Sequence, residues 1–379
     1  MRSPLGVLLL CFATRIVPVA CGGEAPPPQA PPFKASAPIA PPTSPNVATE
    51  IALPPPAAVP PLSAAEQRKE TRRLVAEALN AHDAKKLASA YTETAVIKAS
   101  GMPDDVGRAA IANGVQELFD AISNFKYGVT RVWNSSSIVV TEWVGTGTHS
   151  GDFAGVRATE KPVGWTALSV SSFTDGGLIK EEHVYWDTLA VLSQIGAPAG
   201  KGKPRPIPQL PSGNPETHNA QGTLAELRNI ELVKQLSAAR NARSDTDLFG
   251  LYAETLERWD VGTLGPAKGR DETNKGYKSF VAAFPDSTET VNDAWSTDDW
   301  VVAESTTVGT HKASFAGIAP TKKQVSVHEC HVYQLKDGKI ARDWSFASTP
   351  ELTAQLVPAK ARAAAANDPA PKNAPPKKK

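Results

Sequence analysis

Cysteine, net charge and long apolar runs are all scarce in this sequence, and each scarcity excludes a class of protein. The only cysteines are Cys11, Cys21 and Cys330, too few for a disulfide framework. The 40 Lys and Arg residues balance the 39 Asp and Glu residues, so no charge bias indicates a nucleic-acid partner. The apolar run from Leu5 to Phe12 is too short for a stable transmembrane span. The 379 residues, 41% of them hydrophobic, still suffice for two ordinary cores.

Proline, by contrast, is abundant. Its 33 residues are concentrated in residues 26–61, residues 198–215 and the tail after Pro358. Such stretches bury too little apolar surface to fold. We therefore expect a disordered tether over residues 22–62, a flexible linker over residues 198–222 and a disordered basic tail over residues 359–379.

The N-terminus, residues 1–21, resembles a bacterial lipoprotein signal. A positive residue and an apolar run precede Val19-Ala20-Cys21-Gly22, although Arg15 and Pro18 depart from the usual pattern. The resemblance implies export, lipidation of Cys21 and a lipid-anchored location at the cell envelope, on the outer membrane or the periplasmic face. An ordinary secretory signal is the alternative.

The middle of the chain contains an internal duplication. GTHSGDFAGVRATEKPV at 147–163 and GTHKASFAGIAPTKKQV at 309–325 share nine of seventeen residues. The similarity extends upstream and downstream of these segments. The second repeat has one residue fewer than the first after its Asp-Gly turn. The similarity defines two domains of about 130 residues each, a typical domain size. We call them copy 1, residues 63–197, and copy 2, residues 223–358.

Periodicity predicts the same layout for both copies. Helical spacing over residues 65–81 indicates a first helix, with Ser63 and Glu66 as a capping box. Shorter helices are predicted over residues 83–91 and 108–122. Runs rich in β-branched and aromatic residues, separated by turns such as Asp175-Gly176, then predict strands. Helices followed by a curled antiparallel sheet indicate an α+β class.

The ordered motifs NAHD, YTETA, GRAAI, GTHSGDFAG, YWD and QIG resemble those of SnoaL-like polyketide cyclases and predicted ester cyclases, within the nuclear-transport-factor-2-like superfamily. The resemblance implies two tandem cone-shaped barrels, each with N-terminal helices packed on a curved, mixed sheet around a pocket. It implies no metal, no cofactor, and an acid–base Asp on the last strand. Asp187 matches that Asp in copy 1, whereas copy 2 has Ser348.

The chemistry implied by the resemblance requires a carboxylate that removes a proton beside a carbonyl and returns one to the new alkoxide. Apolar walls that raise the pKa of Asp187 would suit it to both steps. Tyr185 and His183, on the same strand face as Asp187, are predicted donors to a developing enolate. The alternative is that Asp187 only caps the helix starting near Thr188.

Other residues are candidates for a pocket around this Asp. The cyclases carry a His six residues before the Asp-Gly turn, where copy 1 has Ser169 and copy 2 has His331. The tryptophans in the sheet half of copy 1 predict either an aromatic pocket for an apolar ligand or simple core packing. The predicted pocket residues are Trp143, Trp165, Trp186, Ser169, His331 and Ser348.

The HECH sequence at 328–331 contains good zinc ligands, yet His328 and His331 fall on opposite faces of a strand, so we predict no metal site. His149 and His311 are expected to bond the backbone of the neighbouring loop.

Together these observations predict an exported protein that binds a small apolar molecule. A cofactor-free cyclase or isomerase in copy 1, with copy 2 degenerate, is one hypothesis. A non-catalytic ligand-binding or interaction lipoprotein is the alternative, with a dimer or domain–domain pairing through the sheet.

Overall fold

Helices precede a curved sheet in both copies, as the periodicity predicts. The computed structural model describes residues 62–136, 138–186, 188–197, 203–261, 265–347 and 349–357. In copy 1 the elements are α1 (Ala64–Ala81), α2 (Ala84–Ala88), β1 (Tyr91–Ala99), β2 (Asp105–Val106), α3 (Arg108–Ala121), β3 (Ile122–Asn134), β4 (Ile138–His149), β5 (Pro162–Phe173), β6 (Ile179–Trp186) and α4 (Thr188–Ile195). Strand β7 (Glu216–Asn219) follows in the linker.

Copy 2 repeats this order. Its elements are α5 (Leu224–Ala242), α6 (Asp245–Leu251), β8 (Tyr252–Asp260), β9 (Ala267–Lys268), α7 (Gly269–Ala283), β10 (Thr288–Thr297), β11 (Trp300–Thr310), β12 (Gln324–Lys336), β13 (Lys339–Ala347) and α8 (Thr349–Leu356). None of the helices in the described part of the chain is long and apolar enough to cross a bilayer.

Both sheets are mixed. The strand order is β2-β1-β6-β5-β4-β3-β7 in copy 1 and β10-β11-β12-β13-β8-β9 in copy 2. The hairpin-connected strands are antiparallel, while β1 pairs with β6, and β8 with β13, in parallel. The first strand after the helices therefore returns beside the last, and the sheet curls around the helices.

Local sequence signals set the ends of several elements. The Ser63 side chain accepts from the backbone of Glu66, whose carboxylate accepts from Ser63, which confirms the predicted capping box. Helix α2 ends at Ala88, short of the predicted Tyr91, because Tyr91 already belongs to β1. In the second hairpin Asp337 and Gly338 both have positive φ, 52° and 68°, as a two-residue turn requires.

Each sheet has an inner face, turned toward its own helices, and an outer face. Side chains alternate between them along a strand. In copy 1, Trp165 and Ala167 of β5 pack in the core that contains Leu79 of α1, whereas the next residue, Leu168, packs in a different cluster. Both faces of β5 are thus apolar, which is the pattern of a sheet covered on both sides.

The two outer faces pack against each other. One cluster joins five residues of copy 1 and five of copy 2, namely Trp133, Val140, Leu168, Val170, Tyr185, Trp300, Val302, Cys330, Val332 and Phe346. Trp133 and Trp300 meet edge to face, with ring centroids 5.6 Å apart. The pairing expected through the sheet therefore occurs between the two copies of one chain.

The described part of the linker, residues 203–222, does not match the flexible segment that we expected. Its strand β7 pairs in parallel with β3 from Arg131 to Asn134. The backbone N–H of Arg205 donates to Ser193 Oγ at 3.1 Å. The physical reason is that β3 is a sheet edge whose backbone groups need partners.

Candidate functional site

The inner face of copy 1 is lined by aromatic rings. Trp165 contacts both Trp143 and Trp186, with centroid distances of 6.3 and 5.4 Å. Tyr127 packs on Trp143 at 5.2 Å. Trp143, Trp186 and Tyr127 remain partly accessible although they pack against the core of the copy. The three predicted pocket tryptophans therefore lie together on one surface, which suits an apolar ligand.

A carboxyl group, Glu182, lies on this apolar face. It occupies an inner position of β6 and accepts a hydrogen bond from the Tyr91 hydroxyl. Ser169 also lies within hydrogen-bonding reach of this carboxyl, and Ser169 Oγ accepts from Trp143 Nε1 at 3.1 Å. Burial raises the pKa of Glu182, and the hydrogen bonds from Tyr91 and Ser169 only partly offset that effect.

Tyr127 supplies a second polar group on this face. Burial raises the pKa of its hydroxyl, and the nearby charge of Glu182 raises it further. The phenol therefore stays protonated at any physiological pH and can donate a hydrogen bond. A carboxyl with a raised pKa and a neutral donor thus share one aromatic surface.

Of the residues predicted to be catalytic, the structure describes Tyr185 and His183 only. Asp187 lies outside the described residues, as does Ser348. Tyr185 and His183 occupy outer positions of β6, where the Tyr185 hydroxyl and His183 Nδ1 both contact Glu304 Oε1 of copy 2 at 2.7 Å. Their side chains therefore belong to the contact between the copies rather than to the cone of copy 1, because strand alternation turns them away from Glu182.

Copy 2 has a charged interior instead of an aromatic one. His331 Nδ1 lies 2.8 Å from Asp343 Oδ1, and Arg258 Nη1 lies 2.9 Å from Asp343 Oδ2. Asp343 is 0% exposed and His331 is 2% exposed. Burial would raise the pKa of Asp343, but the charges of Arg258, His331 and Arg240 hold it well below its usual range. Burial would lower the pKa of His331, but Asp343 and Glu329 raise it to about 9.

The same interior contains a group of potential metal ligands. Atoms of Glu289, Glu329 and His331 lie within 4.8 Å of one another. Arg240 Nη1 lies 3.2 Å from Glu289 Oε2, and His331 Nε2 lies 3.5 Å from Glu329 Oε2. Each carboxylate already faces a cationic side chain, so the group forms a closed ion network. His328 lies on the opposite strand face and is exposed, as predicted.

The two repeated histidines hold loops in place. His149 and His311 are fully buried, and the Nδ1 atom of each lies within 3.2 Å of a threonine hydroxyl ten residues later. The backbone N–H of Thr321 also donates to His311 Nδ1 at 3.2 Å. For His311 this contact confirms the expected bond to loop backbone.

Sequence reasoning missed Glu182 and Tyr91. The duplication could have revealed both residues. When the one-residue deletion in copy 2 is taken into account, Glu182 aligns with Asp343, and Tyr91 aligns with Tyr252. Both copies thus carry an acid and a tyrosine at equivalent positions. The choice of Asp187 instead followed the YWD motif.

These features define a class: a tandem pair of curved α+β cones, one of which has an aromatic interior with a partly buried carboxyl. The model of the SnoaL-like polyketide cyclase family matches residues 69–195 and 230–356, which together make up more than half of the chain. The chain therefore belongs to the SnoaL-like polyketide cyclase family, twice over. Its fold and family are those of small-molecule-binding proteins of cyclase or isomerase type.

Solved structures of similar fold each correspond to about one copy. AclR from Streptomyces galilaeus is 21% identical, covering 35% of this chain and 99% of its own, with a TM-score of 0.33. IdmH from Streptomyces antibioticus is 24% identical, covering 34% and 97%, with a TM-score of 0.32. A SnoaL-like candidate cyclase from Jannaschia sp. CCS1 is 18% identical, covering 35% and 94%, with a TM-score of 0.34. Comparison with curated proteins gives no significant match.

Proposed function

We propose that copy 1 is a cofactor-free cyclase or isomerase domain that binds a small, mostly apolar carbonyl compound and moves a proton through Glu182. The observation that supports this is a carboxyl with a raised pKa on an aromatic surface that is still partly accessible. A structural carboxylate in a closed core would instead have a charged partner, as Asp343 has in copy 2.

The chemistry follows from the two protonation states of Glu182. As a carboxylate it removes the proton beside the carbonyl, and as a carboxylic acid it returns that proton to the new alkoxide or to another carbon. The Tyr91 hydroxyl donates to Glu182 and so stabilises the ionised form. The Tyr127 hydroxyl, held neutral by burial, would donate to the oxygen where negative charge develops.

Asp187 remains the candidate that the family resemblance supplies. Glu182 and Asp187 are therefore both tested as the acid–base group. Separate variants of the two residues distinguish them.

The test is deuterium exchange into enolisable aromatic ketones, followed by mass spectrometry on the full chain. We expect Glu182→Gln to lower the exchange rate by about 100-fold or more, the usual scale of general acid–base catalysis. Glu181→Gln is the matched control, because Glu181 is the adjacent acid on the outer side of the strand and is expected to leave the rate unchanged.

Two results would change the proposal. Loss of exchange in Asp187→Asn but not in Glu182→Gln would transfer the acid–base role to Asp187. Quenching of tryptophan fluorescence by the ketones without any exchange would support the alternative, a non-catalytic ligand-binding or interaction protein.

The proposal also includes export and a lipid anchor on Cys21, supported by the N-terminal sequence pattern. Metabolic labelling with a radioactive fatty acid, followed by fractionation, tests it. The wild-type chain should be labelled and found with the envelope, while Cys21→Ala should not be labelled. Absence of label from the wild-type chain would favour an ordinary secretory signal.

A further inference from the structure

One arginine in copy 1 is partly buried and has no counter-charge among the described residues. Arg72 lies on α1, whose neighbouring Leu74 and Val75 pack against the core of copy 1. Its Nε atom is buried, and no residue in the described ranges accepts a hydrogen bond from it. Burial lowers the pKa of Arg72, which means that its surroundings disfavour the charge.

Three other arginines, which lie in the interior or between the copies, each have a carboxylate partner. Arg131 Nη2 lies 2.5 Å from Glu142, Arg240 Nη1 lies 3.2 Å from Glu289, and Arg258 Nη1 lies 2.9 Å from Asp343. The buried Nε–H of Arg72 has no such partner in the described ranges, and a buried donor without an acceptor costs free energy. An anionic partner would therefore stabilise Arg72, and the described residues do not supply one.

The position of Arg72 relates it to the candidate site. Leu74 and Val75, the α1 neighbours of Arg72, pack in the same cluster as Tyr127 and Trp143. The charge of Arg72 also lowers the pKa of the Tyr127 hydroxyl, whereas the charge of Glu182 raises it. Arg68, which also carries a positive charge, lowers the pKa of Arg72 further. An anion placed beside Arg72 would thus lie near Tyr127, at one side of the aromatic surface that also contains Glu182.

The duplication shows that the fold does not need an arginine here. Copy 2 has Val233 at the equivalent position of α5, and Val233 packs in the core of that copy at 2% exposure. Arg72 is thus peculiar to the copy that has the aromatic face and Glu182.

We propose that the ligand of copy 1 carries a carboxylate group, which pairs with the Arg72 guanidinium while the apolar part of the ligand lies on the tryptophan surface. A planar carboxylate suits the arginine fork, which can offer it two parallel hydrogen bonds. The inference rests on the proposed function for its substrate class, an aromatic or extended keto acid whose carbonyl lies near Glu182.

The test compares binding of naphthoic acid with that of its methyl ester to the full chain, by tryptophan fluorescence and calorimetry. These probes have no enolisable carbon, so binding is measured apart from turnover. The wild-type chain should bind the acid about tenfold or more tightly than the ester, the scale of a hydrogen-bonded charge pair. Arg72→Gln should abolish that preference, and Arg72→Lys, which keeps the charge but not the fork, should reduce it.

Arg73→Gln is the matched control, because it removes the same charge from the next position of α1, where the side chain is 61% exposed. It should keep the preference for the acid. Equal binding of acid and ester by the wild-type chain, or a preference that survives in a folded Arg72→Gln variant, would overturn the inference. If Arg72→Gln does not fold, the wild-type chain and Arg72→Lys still decide the matter.

The outcomes separate this inference from the proposed function. If the chain prefers the acid but no ketone exchanges deuterium, the anion site stands and the catalytic proposal fails. If deuterium exchanges and the acid is not preferred, only the anion site fails. Glu182→Gln should retain the preference for the acid, because it leaves Arg72 in place.

Discussion

The contact between the two copies contains a charge pair whose strength should depend on pH. His183 Nδ1 lies 2.7 Å from Glu304 of copy 2, and His183 Nε2 lies 2.9 Å from Glu181. Both ring nitrogens therefore face carboxylates and both must donate, so the imidazole is protonated. The hydrogen bond that His183 donates to Glu304, opposed by partial burial, raises the pKa of His183 to about 9.

The sign of the effect follows from linkage. The pKa of His183 in the folded chain lies above its value of about 6.5 in the unfolded chain. The protonated ring therefore contributes its full stabilisation below about pH 6.5. The stabilisation is lost as the pH rises through about 9. The shift corresponds to about 3 kcal/mol, and we expect about 2 kcal/mol because the His183 side chain is still 29% exposed and solvent screens the pair.

The perturbation is Glu304→Gln, which keeps the shape of the side chain and removes its charge. We expect it to lower the free energy of unfolding by about 2 kcal/mol at pH 6 and by much less at pH 10. Urea denaturation followed by tryptophan fluorescence measures this, since Trp133 and Trp300 lie in the same contact.

Glu142→Gln is the matched control, because Glu142 occupies the equivalent position in copy 1 and pairs with Arg131 at 2.5 Å. A guanidinium keeps its charge across this pH range, so the loss in that variant should not vary with pH. An equal loss in Glu304→Gln at pH 6 and pH 10 would refute the assignment of a protonated His183.

Three further predictions concern the other copy, the linker and a helix end. His331→Asn should cost about 3 kcal/mol at pH 7, because it removes a charge from the buried network around Asp343, and the loss in urea denaturation should shrink as the pH rises through about 9. Gly128→Ala would place a Cβ 2.6 Å from Pro211 Cδ in the linker. We therefore expect about 1–3 kcal/mol of destabilisation and faster proteolysis near residue 211, and an unchanged rate of digestion would contradict this prediction. Thr223→Ala should cost about 1 kcal/mol in thermal unfolding, because it removes the cap of α5.

Much of the fold could be predicted from the sequence because the relevant signals are local. The shared GTH segments indicate a duplication, and Ser63 with Glu66 marks the start of α1 by a contact that spans three residues. The strands β4, β5 and β6 follow from runs of β-branched and aromatic residues. Strands β1 and β3 were missed because each begins directly after a helix with no turn signal between them.

The candidate site could not be predicted in the same way, because the alternation of side chains does not show which face of β6 lies inside. A period of two shows that Glu182 and Tyr185 lie on opposite faces of β6, but not which face is inside. Because the outer face of each sheet is also covered, both faces are apolar and the sequence pattern is the same for either orientation. Only the packing of the two outer faces assigns Tyr185 to Glu304 and leaves Glu182 in the cone.

The duplication, the helix starts and the family come from short-range patterns along the chain, and these needed no structure. The unpaired state of Arg72, the ion network of copy 2 and the role of residues 216–219 as a strand depend on which distant groups meet. These long-range contacts depend on which apolar faces pack against each other and on which polar groups then still need partners. Only the folded chain shows both.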